Sequence, residues 1–136
     1  MEKRKMNNKG FSLVELIIVI AIMAVLIGIL APQYLKYVQQ SKVSTDIQNA
    51  QQMATAINVA IADPTVTIGG VTSGDALEAG DAITGIAGFT AVPESKVDPD
   101  RDWKITWDTT NGVEKIEIET ATDKWTQVYP NSASYN

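Results

Sequence analysis

Gly10-Phe11-Ser12-Leu13-Val14-Glu15-Leu16-Ile17-Ile18-Val19-Ile20 opens an apolar run that continues to Ala31. From Leu16 to Ala31 there is no charge and no strongly polar group. Counted from Phe11, the run has about the ~20 residues that an α-helix needs to cross a ~30 Å hydrocarbon core. One carboxylate, Glu15, lies in its first turns. A charge that close to the bilayer interior costs roughly 2.5–3.5 kcal/mol on insertion scales, so its presence there calls for a reason.

Toward the N-terminus, Met1 to Gly10 is short and basic, with Lys3, Arg4, Lys5 and Lys9 set against Glu2. Basic residues beside an apolar segment stay in the cytoplasm, which places the N-terminus inside and the rest of the chain outside. A secretory signal would have a shorter apolar region and an Ala-x-Ala-like cleavage site. Here Ala31 is preceded by Leu30 and Ile29 and followed by Pro32, a poor fit. A plain single-pass anchor accounts for the apolarity and the cations. It accounts for neither Glu15 nor the junction Lys9-Gly10-Phe11.

Those residues carry a resemblance. Lys9-Gly10-Phe11-Ser12-Leu13-Val14-Glu15 is similar to the class III signal of type IV prepilins, and residues 1–42 resemble the N-terminus of type IVa-type pilins. The resemblance implies that residues 1–10 are a leader, cut by a prepilin peptidase between Gly10 and Phe11. It implies N-methylation of the new amino group of Phe11. It also implies that residues 11–35 form a helix that first holds the subunit in the membrane and then packs in a filament core. An inner-membrane assembly platform and a cytoplasmic assembly ATPase are the implied partners. In similar pilins the segment between a Gly and the following Pro unwinds in the filament, which marks Gly28 and Pro32.

Two physical points sit beside this resemblance. Glu15 is one helical turn beyond Phe11, near a helix start, where the macrodipole favours an anion. Its partner is either the amine of its own Phe11 or, as the family suggests, the Phe11 ammonium of a neighbouring subunit. Pro32 removes an N–H and crowds the carbonyl of Gly28, so a kink or local loosening is expected between them.

Beyond Gln33 the pattern turns amphipathic. Val43, Ile47, Ala50, Ala54, Ile57 and Ile61 fall on one helical face, with Lys42, Asp46, Gln48, Gln51 and Gln52 elsewhere. Asp63-Pro64 ends the helix. A helix from Phe11 to Ala62 would be roughly 75–80 Å long, and half of it has no soluble partner within one chain, which implies a membrane or a polymer. Tyr34 and Tyr37 stand where an interfacial belt or a contact between subunits would be.

Thr65 to Val92 is rich in Gly, Ser, Thr and Ala and reads as a connecting loop, with a short helix expected around Ser73 to Ala79. No Gly-x-x-x-x-Gly-Lys-Ser/Thr accompanies its glycines, so a phosphate site is not read there. Three strands follow. Trp103, Ile105 and Trp107 alternate with polar residues, Thr110-Asn111-Gly112 turns the chain, and Ile116 and Ile118 continue. A second turn at Thr122-Asp123-Lys124 leads to Trp125–Val128, and Ile86–Val92 is a candidate fourth strand. The apolar sheet face, all three Trp included, is expected to cover the helical stripe. Asp98, Asp100 and Asp102 sit at alternate positions like the start of a calcium loop. Trp103 stands where that loop needs Gly and Thr109 where it needs Glu, so a solvated turn is the reading. The tail from Pro130 to Asn136 reads as loose or lying on the surface.

Composition narrows the functions. The 136 residues include neither Cys nor His, which removes the common zinc, thiol and Ser-His-Asp chemistries. No nucleophile–base constellation is visible, so no enzyme activity, metal or cofactor is read. The net charge is −5, and the basic residues 1–10 leave the remainder more acidic still. That argues against general affinity for nucleic acid backbone. The expected fold is α+β, a long N-terminal helix packed on a small antiparallel sheet of three to four strands. The leader is 1–10, the membrane or filament-core helix 11–35, and the globular head 36–136. The expected function is the major pilin of a type IV pilus, a homo-polymer, and the sequence does not separate adhesion, surface motility, DNA uptake and secretion. A pseudopilin of a type II secretion or competence pseudopilus is the alternative, and a membrane-tethered binding domain that does not polymerise is the second.

Overall fold

Ser12 starts the first helix. In the computed structural model, which describes residues 10–135, α1 spans Leu13–Ala62 without interruption. Ser12 is its N-cap, and its carbonyl takes the Leu16 N–H. The chain divides into two compact units, the first ending at Tyr37 and the second beginning at Val38. Met1 to Lys9, most of the expected leader, lies outside the described residues.

In the first unit α1 is apolar on every side. Leu16, Ile20, Val25 and Leu30 are each more than half exposed, as are Tyr34 and Tyr37. A helix that is apolar all round needs lipid or other protein around it. Among the described residues this is the one helix long and apolar enough to cross a membrane. Pro32 sits inside the helix, and the α-helical hydrogen bonding continues on both sides of it.

In the second unit α1 buries Val43, Asp46, Ala50, Met53, Ala54, Ile57 and Ala60. The expected stripe is correct in its centre and shifted at its edges. Ile47 and Ile61 are only partly buried, and Met53 and Asp46 take the inner positions. The helix stops at Asp63, whose carboxylate Oδ1 accepts from the backbone N–H and the hydroxyl of Thr65.

A four-stranded antiparallel sheet covers this face. Its order is β1-β2-β3-β4, with β1 at Ala76–Leu77, β2 at Trp103–Asp108, β3 at Gly112–Ala121 and β4 at Lys124–Tyr129. The inward residues Trp103, Ile105, Ile116, Ile118 and Val128 are all at most 2 % exposed and share one core with Ala50, Met53, Ala54 and Ile57. Full burial of an aliphatic side chain of this size is worth ~1.5–3 kcal/mol, so this layer supplies most of the head's driving force. Gly112 at the β2–β3 turn has φ +84, and a Cβ there would meet the Asn58 amide oxygen, which instead accepts the Val113 N–H at 2.8 Å. Only glycine lets the hairpin approach the helix this closely.

Three expectations are corrected. Ser73 to Ala79 does not form a helix. It lies along β2, with Ala76–Leu77 pairing Lys104–Trp103, because the open edge of β2 offers backbone groups that need partners. Ser73 ties the segment down, donating to the Trp107 carbonyl and accepting the Trp107 N–H. The fourth strand is therefore not Ile86–Val92, which contributes only a single bridge between Ala82 and Ala91. The three Trp are not equivalent either. Trp103 is fully buried with its Nε1 donating to the Pro93 carbonyl, whereas Trp107 is half-buried beyond a bulge between Thr106 and Trp107. Trp125 is on the outer face under the Lys104 ammonium, 3.9 Å from the ring centre.

Candidate assembly site

The N-terminal junction is built from local hydrogen bonding. The Ser12 N–H donates to Glu15 Oε2 at 2.8 Å, and the Glu15 N–H donates to Ser12 Oγ at 3.2 Å. This reciprocal pair is a capping box, Ser-x-x-Glu, which satisfies two of the orphan donors at a helix start. The Ser12-x-x-Glu15 spacing is the sequence signature of this cap. Glu15 thus has an intrachain partner in the Ser12 amide, while the Phe11 nitrogen is a peptide nitrogen as long as Gly10 is attached. The cap uses one carboxylate oxygen, so an ammonium from elsewhere can still approach the other. Gly10 and Phe11 precede the helix and are exposed, with Phe11 93 % accessible. The peptide bond between them lies in exposed, non-helical backbone.

Downstream, the exposed apolar surface of Leu13 to Leu35 is unbroken by any charge after Glu15. Gly28 faces open space on α1 and Pro32 lies one turn further on.

The residue that sequence reasoning misplaced is Asp46. It is fully buried in the head, with no basic side chain among its hydrogen-bond partners. Its carboxylate accepts from the Ser95 hydroxyl at 2.7 Å, the Lys96 N–H at 2.7 Å, the Val97 N–H at 3.4 Å and the Tyr135 hydroxyl at 2.7 Å. Donors alone hold this anion, as in a carboxylate bound by backbone amides. The tail is therefore not loose, since Tyr135 is 3 % exposed. Burial first, and then the Asp46 carboxylate, push the Tyr135 hydroxyl well above its ordinary range. The signal that could have revealed this was Asp46 itself, which falls three residues after Val43 and four before Ala50, on the buried face.

Asp98 pairs with Arg101 at 3.7 Å and accepts the Asp100 N–H. Asp102 is held among Glu78, Glu119 and Asp81; burial first, and then these like charges, raise its carboxyl above the ordinary value. The three aspartates of Asp98–Asp102 thus have different surroundings and do not converge.

The prokaryotic N-terminal methylation motif matches residues 5–31, the stretch that holds the junction, the capping box and the start of the apolar helix. The chain carries a type IV pilin N-terminus. It is 44% identical over 59 residues to the type IV major fimbrial protein FimA of Dichelobacter nodosus, covering 43% of this chain and 38% of that protein. It is 36% identical over 86 residues to a probable minor fimbrial protein of the same organism, covering 62% of this chain and 53% of the other. The chain thus spans between about two fifths and a half of the length of these type IV fimbrial relatives. No solved structure matches it.

Proposed function

We propose that this chain is the major structural subunit of a type IV pilus, made as a prepilin and assembled through its N-terminal helix. The observation that carries the reading is the junction itself. An exposed Gly10-Phe11 bond leads directly into a capped helix whose apolar surface has nothing to cover it in the single chain. In this reading a prepilin peptidase cuts after Gly10, and Phe11 becomes the methylated N-terminus. The subunit waits in the cytoplasmic membrane as a single-pass protein with its N-terminus inside, then enters an extracellular filament. The assembly platform and ATPase belong to the same proposal. Gly28 to Pro32, helical in the single chain, is the segment proposed to unwind in the filament. A pseudopilin would share this N-terminus, and abundant surface filaments are what separate the two.

Glu15 gives the test. In a low-dielectric filament core it meets the Phe11 ammonium of the next subunit, and removing one member of a buried pair strands the other at a cost of ~3–5 kcal/mol. Glu15→Gln preserves the capping box, since glutamine caps as glutamate does, and removes only the charge. Glu15→Leu removes both. The measurement is sheared-filament yield against membrane pilin level in cells making only the variant. Both variants are expected to insert and be cleaved normally, and both to lose at least tenfold in filament yield. A normal yield from Glu15→Gln would reduce Glu15 to a helix cap.

A further inference from the structure

Along the second unit runs a groove of about 700 Å³, lined by Gln52, Ala56, Val59 and Asp63 of α1 and by Gly88 and Phe89 of the loop opposite. Small residues and Phe89 share the lining with Gln48, Gln51 and Gln52. Val59 is 66% exposed, the only large hydrophobic residue from Val38 onward that is so among the described residues. Asp63 is the groove's single charge. It stands just past the last turn of α1, a turn that contains no basic residue. The partial negative charge of a helix C-terminus and a carboxylate together favour a cation there, and this chain's own helix does not provide one.

A complementary patch lies in the first unit. Leu13 to Pro32 already spans the ~30 Å of a hydrocarbon core at ~1.5 Å per residue. The next turn, Tyr34 to Tyr37, is past that thickness, yet Tyr34, Leu35 and Tyr37 are 67–68% exposed. Its single charge is Lys36. One patch is a groove with one anion and the other an apolar turn with one cation.

We propose that the groove holds the Tyr34–Tyr37 turn of a second copy of this chain, with Leu35 against Val59 and Phe89 and Lys36 reaching Asp63. The proposal rests on the filament reading. The two surfaces are different patches of one molecule, so the contact is head-to-tail, the kind that builds an open helical assembly when its rotation does not close a ring. Before assembly the groove is open, and the turn rests at the membrane surface.

The absence of cysteine makes the test clean. Leu35→Cys and Val59→Cys are placed together in the full chain, and sheared filaments are treated with a short bifunctional thiol cross-linker. A ladder of dimers, trimers and longer products is expected on a denaturing gel, and neither single variant should give one. Normal filaments from the double variant without a ladder overturn the contact. A charge exchange covers the case in which the cysteine variant fails to assemble. Lys36→Glu should cut filament yield at least fivefold at unchanged membrane level, and adding Asp63→Lys should restore most of it. An unaffected yield from Lys36→Glu, or no rescue by the second change, overturns the contact as well. If the unaltered chain yields no filaments at all, the pilus reading itself fails, and that outcome is distinct from filaments lacking the ladder.

Discussion

Tyr135 donates its hydroxyl to Asp46 Oδ2 at 2.7 Å, joining the end of the chain to α1 across 89 positions of sequence. The Ser95 hydroxyl reaches the same oxygen, and the Lys96 amide the other. The chain has no Cys, and Asp46 ties Ser95–Val97 and Tyr135 to α1 with hydrogen bonds alone. Removing the acceptor leaves buried donors unsatisfied at ~1–3 kcal/mol each, so Asp46→Ala should cost the head about 3–5 kcal/mol. Tyr135→Phe removes one bond to a charged group and should cost about 1.5–3 kcal/mol. Urea unfolding of a soluble head beginning at Val38 measures both, and a change within error for Asp46→Ala would contradict the tie.

Tyr135 also sets an alkaline limit. Its hydroxyl is raised in the folded state, by burial and then by Asp46, from an unfolded value of 10.0. A group raised on folding contributes stability in full below its unfolded pKa, and that contribution falls as pH climbs past it. Melting temperature should therefore begin to drop near pH 10 in the unaltered head and drop less steeply in Tyr135→Phe. Parallel curves for the two proteins would show that another group is responsible.

Asp102 makes the opposite case at neutral pH. Burial and the nearby Glu78, Glu119 and Asp81 raise its carboxyl above 3.8, so the ionised form present at pH 7 opposes folding. Asp102→Asn should raise the melting temperature at pH 7 by roughly 1–3 °C, a surface-sized effect. The gain should shrink as pH falls through the raised value and vanish below 3.8, where both carboxyl states are protonated. A loss of stability at pH 7 would mean that the carboxylate holds a contact worth more than the repulsion.

The two Trp of β2 should separate under substitution. Trp103 is fully buried and bonded to the Pro93 carbonyl, while Trp107 lies half-buried past the bulge. Trp103→Ala should cost ~3–5 kcal/mol, enough to unfold much of a small head at physiological temperature. Trp107→Ala should cost less than half as much. The reverse order in a thermal melt would place the bulge elsewhere.

Much of this architecture was legible because long, strongly patterned segments declare themselves. The apolar run fixed α1, the alternation of Trp103 to Asp108 and of Lys115 to Glu119 fixed β2 and β3, and Asn111-Gly112 and Asp123 marked the turns. What escaped depends on long-range contacts. Asp46 is charged, and periodicity alone sets a charge outside the core unless its donors are known. Those donors come from Ser95–Val97 and Tyr135, 49 to 89 residues away. Ala76–Leu77 is too short for any alternation to show, and it is a strand only because β2 lies beside it. Trp107 alternates with its neighbours in sequence, yet a one-residue bulge breaks the register that alternation assumes. At the start of α1, the Ser12–Glu15 cap was readable from its spacing.

The most direct measurement is the N-terminal mass of the main band from filaments sheared off cells that express this chain. The expected subunit begins at Phe11 and is heavier by one methyl group, and Gly10→Val should leave the precursor uncut and the cell surface bare of filaments. A chain that stays in the membrane with residues 1–10 attached, and no filament containing it, would contradict the account.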